Sequence, residues 1–209
     1  MHIESVKLSP KRGGNGYNSS YSVSIGAKEA KACGLAGKRI IKILDETNCA
    51  ISFKPKQFTV QQEVVNEVIR LKKNEAKEND RISEKYAEKH DWSYTEMVQL
   101  YIDEASGKVA RPEKEKLKKF LLSVPIEMLC DLVLLMYIGR DYNVDMSVKP
   151  GEERFLKYFD TYNYIVLGRD KHELANKLME KTPLIKYLKT GFKLIYAPEG
   201  TDIYEILYE

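Results

Sequence analysis

The residues of this sequence that are best equipped for chemistry are cations. Residues 1–56 hold ten Lys/Arg against four Asp/Glu, a net charge of +6, while the rest of the chain holds 24 against 27, a net of −3. A basic head on a faintly acidic body suits a polyanionic partner, because a field of one sign concentrates counter-charge. A lysine-rich solvated surface gives the same count, so charge alone leaves both readings open. Other reactive residue types are poorly arranged. His2, His90 and His172 have no partner at metal-ligand spacing, and HExxH and paired-cysteine patterns are absent. KHD at 89–91 and KHE at 171–173 set a histidine beside an acid. Adjacent residues on a helix point apart, so these read as solvated groups. RGGNG at 12–16 is not the GxxxxGK[ST] phosphate loop, and no GxSxG elbow occurs. Cys130 sits among Met128, Leu129, Leu132 and Val133 and reads as a packed thiol. No enzyme, metal site or cofactor is expected.

Two polar groups in the body invite attention. Arg140 and Asp141 follow the most apolar run, and an internal salt bridge or helix-end contact is their expected role. A pocket formed with Tyr142 and Arg169 is the alternative. Trp92, Tyr94 and Tyr101 read as core aromatics, with a binding groove as the alternative.

The rest of the composition is that of a globular chain. Of 209 residues, 43% are hydrophobic and 31% charged, enough apolar material for a core. No apolar run reaches the ~20 residues of a membrane span. MHIESVKLSPKRGG has no apolar h-region, and Cys33, Cys49 and Cys130 are odd in number and widely spaced. A cytoplasmic protein with reduced thiols and no membrane partner is therefore expected.

The elements that must position the cations are short. Residues 3–8 predict a strand, and SPKRGGNGYNSS (9–20) a flexible loop with basic residues at its base. Tyr21, Val23 and Ile25 alternate with serines and predict a second strand. GAKEAKACG (26–34) predicts a short helix stopped by Gly34. Residues 40–44 and 50–53 predict two further strands, with Pro55 closing the unit.

After residue 56 the apolar period changes to 3.6. Thr59 and Gln62 form a potential capping box, ahead of an apolar face of Val60, Val64, Val65, Val68, Ile69 and Leu71. The charged stretch 72–91 reads either as an exposed continuation of that helix or as a connector. Helices are predicted from SYTE at 93–96 to about Ala105, over 111–122, over the apolar run 124–141 ended by Gly139, and over 152–168. RDKHELANKLME carries a capping pair, Asp170 and Glu173, and TPLIKYLKTG is read as a helix stopped by Gly191. The tyrosine-rich runs around PEGT at 198–201 predict a C-terminal β-hairpin. IGRD (138–141) and LGRD (167–170) recur, but their flanks differ, so they read as two helix ends rather than a repeat.

In order and spacing, VSI (23–25), GAKEAKACGL (26–35), AGKRIIKIL (36–44) and AISFKP (50–55) resemble the AbrB/MazE-type swapped-hairpin DNA-binding domain. The resemblance covers about residues 1–56. It implies a dimer that interleaves hairpins from two chains, since so small a unit buries too little alone. It also implies that the basic residues of the first loop and the short helix face DNA: Lys7, Lys11, Arg12, Asn15, Lys28 and Lys31. Lysines position phosphates, and Arg12 can pair with guanine in two-pronged fashion. The sequence departs from that pattern at Ser22, Gly26, Glu29 and Cys33, which puts the DNA-reading set in question. LCDLVLLMYIGRDY (129–142) with LIKYLKTGF (184–192) resembles an uncharacterised bacterial helical family, which implies a compact helical domain and no activity.

The expected fold class is thus α+β: a small dimeric swapped-hairpin β domain (1–56), a helical connector (57–92) and a mostly α-helical domain (93–209) ending in a β-hairpin. The expected function is a bacterial, dimeric DNA-binding transcription regulator with a helical effector or interaction domain, and with a protein partner for residues 93–209. The alternative is a protein-interaction module, an antitoxin or a phage- or plasmid-borne modulator, that uses residues 1–56 only to dimerise.

Overall fold

The computed structural model describes residues 9–12, 18–22, 27–36, 40–45, 50–87 and 94–208. The chain divides into two compact units, residues 1–56 and 57–209.

In the first unit, β1 (Ser9–Arg12) pairs antiparallel with β2 (Asn18–Ser22), and the register shifts between Lys11 and Arg12. A Gly/Asn-rich link between two short runs is hairpin chemistry as much as loop chemistry. That is why the backbone pairs where the sequence predicts a loop. The strand expected over 3–8 lies outside the described residues. The helix α1 (Ala27–Ala32) forms as expected. It ends at Gly34, whose φ of +68° suits the left-handed turn that a side chain would strain. The Leu35 and Ala36 N–H groups both return to the Ala30 carbonyl, at 2.7 and 3.2 Å. Next, β3 (Ile40–Asp45) pairs with β4 (Ala50–Pro55) in unbroken antiparallel register, from Ile40 opposite Pro55 to Asp45 opposite Ala50.

These four strands form two separate two-stranded ladders. Among the residues whose side-chain surroundings are defined, 71% are helical and none lies in a strand. The expected α+β class, with its swapped-hairpin β domain and closing hairpin, is overturned: where packing is defined, the protein is helical.

The second unit holds α2 (Gln62–Ala87), α3 (Tyr94–Ala105), α4 (Pro112–Ser123), α5 (Ile126–Asp141), α6 (Glu152–Tyr162), a 3-10 turn (Asn163–Ile165), α7 (Lys171–Met179), α8 (Leu184–Tyr196) and α9 (Ile203–Tyr208). At its centre is α5. Leu129, Leu132, Val133, Leu134, Leu135, Met136 and Ile138 are all buried, so α5 is enclosed on every side rather than along one stripe. Each such side chain contributes on the order of 1.5–3 kcal/mol by leaving water. α6, α7 and α8 pack around it, and α2 closes over α4 and α8.

The predicted hairpin at the C-terminus is replaced by helix. Leu184, Leu188, Gly191, Leu194 and Ile195 are buried at helical spacing, and α8 runs through Gly191 to Tyr196. Residues 192–196 alternate loosely enough to fit either period, and length decides such cases. Ile206 anchors α9. The charged stretch 72–91, which falls within the expected connector, carries α2 on to Ala87, and α2 is a packed element of this unit. Asp170 and Glu173 make the predicted capping box, each side chain bonding the other's backbone N–H, while Gly168 turns at φ +75°. Thr59 does not cap α2. Its hydroxyl donates to Asp131 instead.

Candidate nucleic-acid interface

Local structure determines where the cations of the first unit can act. Lys28 and Lys31 are three residues apart on α1, hence about 60° apart around its axis, on one face. Both are exposed, and neither forms an ion pair with a described residue. Glu29, also exposed, lies between them in sequence. Lys11 and Arg12 belong to β1, opposite Ser20 and Asn18 of β2, on either side of the register shift. Such a bulge bends a strand and re-aims what it carries. Lys7, Asn15 and Gly26 lie outside the described residues, and Ser22 closes β2 opposite Ser9. The expected set is thus represented by two pairs, one on a helix face and one on a strand.

The second unit handles charge differently, by using buried charged side chains to satisfy helix ends. Arg154, in the first turn of α6, is fully buried. Its guanidinium donates to the carbonyls of Leu194 and Ala197, each at 2.7 Å, and more weakly to Ile195, at 3.4 Å, at the C-terminus of α8. It also reaches Val148 at 2.7 Å and Met146 at 3.3 Å in the loop before α6. A cation at a helix C-terminus meets the negative end of the dipole and carbonyls that lack intrahelical partners. Burial pushes the Arg154 pKa down, opposed by the fields of Glu199, Tyr158 and Asp145.

On α2, Glu78 accepts from the N–H groups of Glu113 (3.1 Å) and Lys114 (3.3 Å), a carboxylate at the N-terminus of α4. Lys72 donates to the Met179 carbonyl (2.7 Å) at the C-terminus of α7 and pairs with Glu75 (2.7 Å). Asp131 accepts from the backbone N–H (3.0 Å) and hydroxyl (2.9 Å) of Thr59. Periodicity gives no hint of these roles. The signal available was an acid inside the most apolar helix, Asp131, which folding tolerates only when it is hydrogen-bonded.

Arg140 and Asp141 form the expected salt bridge, at 2.5 Å, and Tyr162 donates its hydroxyl to Asp141 at 3.0 Å. Arg140 also lies over the Tyr137 ring, 4.4 Å from its centroid. The Arg140 guanidinium, and then the Tyr162 hydroxyl, hold Asp141 below the ordinary carboxylate range. Arg169 pairs instead with Glu173, at 2.9 Å. Glu104 of α3 is held low by Lys114 (2.7 Å) and Arg111 (3.1 Å), tying α3 to the start of α4. Among the described residues no group of three His, Cys, Asp or Glu side chains could hold a metal ion.

Two surfaces of this unit lack an obvious occupant. A shallow groove along α2 and the start of α4 is lined by Asn74, Lys77, Asp80, Arg81, Glu84 and Glu113. Its two cations, Lys77 and Arg81, stand against three carboxylates, Asp80, Glu84 and Glu113, so it offers no seat to a polyanion. On α3, Val98, Tyr101 and Ile102 are exposed at helical spacing, Tyr101 by 73%. Tyr101 is therefore not the core aromatic expected from the sequence. Trp92 lies outside the described residues. No single described helix is long and apolar enough to cross a membrane, and α4 and α5 reach that length only together, across a bend of 117°.

No protein family, curated protein or solved structure matches the chain.

Proposed function

We propose that this chain is a DNA-binding regulator that docks through its basic N-terminal unit, with residues 57–209 as a helical effector or interaction body. The observation that carries this reading is the pair of exposed ammonium groups of Lys28 and Lys31 on one face of α1, neither paired with a described residue, in a unit of net charge +6. Unpaired lysines on one face displace counterions from a phosphate backbone, which gives affinity without sequence. Arg12 supplies the side chain suited to a base edge.

The test is binding of the full-length protein to random-sequence duplex DNA over a range of salt. Lys28→Gln with Lys31→Gln is expected to lower the slope of log affinity against log salt by about 1.8, since each phosphate contact contributes about 0.9. Absence of binding at low salt would overturn the reading.

The apolar stripe of α3 favours a second reading, a protein-interaction module. Exposed large apolar side chains on one helix face mark contact sites more often than chance. In that case full-length protein ignores DNA at low salt. A Tyr101→Ser, Ile102→Ser variant then keeps its fold while losing association with its protein partner.

A further inference from the structure

We propose that the surface at the C-terminal end of α5, centred on Arg140 and Asp141 and flanked by Tyr142, Tyr164 and Leu167, is an interface through which two copies of this chain pair about a two-fold axis. The inference concerns the helical unit alone and does not rest on the nucleic-acid reading.

The residue types are those that anchor interfaces, tyrosine and arginine above all. Tyr142 is the left-handed C-cap of α5, at φ +41°, and is 39% exposed. Tyr164 is 72% and Leu167 56% exposed, while Ile165 and Val166 between them are buried. The Val166 and Leu167 N–H groups both return to the Asn163 carbonyl, at 3.0 and 2.9 Å, and keep the chain coiled through Leu167. Residues three apart on such a coil share a face, so Tyr164 and Leu167 present one apolar surface outward.

The polar groups beside them are held in place before any partner arrives. Arg140 forks onto Asp141 through Nε (2.5 Å) and Nη2 (3.0 Å) and lies over the Tyr137 ring, and Asp141 also accepts from the Tyr162 hydroxyl (3.0 Å). Side chains fixed beforehand lose little freedom on association. The pair still has capacity. Nη1 of Arg140 meets no described acceptor, and Asp141 has taken three bonds where a carboxylate has room for about four.

Charge identifies the occupant. Arg140 with Asp141, and Arg169 with Glu173 just past Leu167 (2.9 Å), give the surface an anion for each cation. Such a face neither draws a polyanion nor repels its own copy. About a two-fold axis residue i meets j and j meets i, so a self-pairing surface has to hold a charge and its complement side by side. Arg140 of each copy then reaches Asp141 of the other, and Tyr164 and Leu167 exclude water around the two pairs. The exposed apolar face of α3 fails this condition. That helix carries Glu96, Asp103 and Glu104 and no cation, so a second copy laid along it would meet its own sign.

The experiment is sedimentation equilibrium of the full chain, without DNA, between about 1 μM and 1 mM. Wild type is expected to show a monomer–dimer equilibrium. Arg140→Glu and Asp141→Arg should each weaken it at least about 30-fold, the mark of a central interface residue. Mixed in equal amounts, the two variants should associate again, because the acidic pair of one then faces the basic pair of the other. Neither a fold defect nor loss of the Tyr162 bond can produce that rescue. Tyr164→Ser/Leu167→Ser, which touches no ion pair, should weaken association by a similar factor. Circular dichroism and melting temperature check that each variant is folded, and if a charge variant is not, Tyr164→Ser/Leu167→Ser decides alone. A wild type that stays monomeric would overturn the inference and leave the face to a different protein. A dimer that no variant shifts would overturn it by assigning pairing to another surface, such as residues 1–56. Folded charge variants that do not rescue one another would overturn it, as would loss of association confined to Tyr101→Ser/Ile102→Ser, which would move the interface to α3.

Discussion

Gly139 of α5 and Gly191 of α8 meet where the two helices cross. A methyl group on Gly139 would lie 1.9 Å from the Tyr187 carbonyl oxygen and 2.5 Å from the Gly191 nitrogen. One on Gly191 would lie 2.1 Å from the Leu135 carbonyl oxygen. The clashing atoms are backbone, so a rotamer change cannot relieve them. Gly139→Ala and Gly191→Ala should each force the helices apart and cost about 3 kcal/mol, the upper end of ordinary overpacking. Gly107→Ala is the comparison. There the space is open, and only its φ of +74° is unfavourable to a side chain, at a cost of about 1 kcal/mol. Urea unfolding of the three variants checks this. Equal losses would mean that the crossing is not the reason for glycine.

These two glycines also mark the limit of what the sequence discloses. As punctuation, both read as helix stops, and the reading holds at Gly34, where φ is positive and α1 ends; at Gly168 the φ is positive too, but the helix expected over 152–168 already ends at Tyr162 and its 3-10 turn at Ile165. The stop reading fails at Gly139 and Gly191, because a glycine that ends a helix and one that admits a neighbouring backbone look alike until the neighbour is known. A stop at Gly191 leaves residues 192–209 to read as a hairpin.

Local signals survived where the partner is also local. The Asp170–Glu173 capping box, Pro112 at the first position of α4 and the apolar face of α2 were all legible. Roles that depend on distant partners were not. Nothing near Arg154 in sequence announces the end of α8, some 40 residues away. Of the candidate site, Lys28 and Lys31 were legible as a helical pair.

Arg154 tests the helix-end role directly. Arg154→Met keeps most of the buried volume and removes every donor. The carbonyls of Leu194, Ala197 and Val148 then lose charge-assisted bonds inside the protein. Such bonds contribute roughly 1.5–3 kcal/mol singly and less than their sum together, so a loss of about 3–5 kcal/mol is expected. Arg154→Lys should recover only part of it, because an ammonium cannot fork to both segments. Full recovery by lysine in thermal unfolding would reduce the role to charge alone.

Glu78 makes the complementary contact at the other pole of a helix. Glu78→Ala strips the acceptor from the N–H groups of Glu113 and Lys114 and should cost about 1–2 kcal/mol, with exchange protection lost first in the opening turn of α4. Glu78→Gln should lie between, retaining an acceptor without charge. Unchanged amide exchange at residues 113 and 114 in the alanine variant would argue against the cap.

Tyr162 and Asp141 link this fold to pH at both ends of the scale. Burial, and then the bond to Asp141, push the Tyr162 pKa up to about 12, against an ordinary value near 10. The unfolded chain therefore releases this proton first. The stabilisation is complete below about pH 10 and fades as pH rises through about 12. Asp141 runs the other way. Its folded pKa is depressed by Arg140 and Tyr162, so its contribution is complete above about pH 4 and is lost as pH falls through the folded value. Tyr162→Phe should leave stability steeper in neither direction. The alkaline decline flattens because the titrating group is gone, and the acid decline flattens because Asp141 loses a donor. The urea midpoint, followed from pH 3 to 11 in both proteins, reads the difference directly, and the other tyrosines cancel between them. Parallel curves would show that the Tyr162–Asp141 bond does not hold either proton in solution.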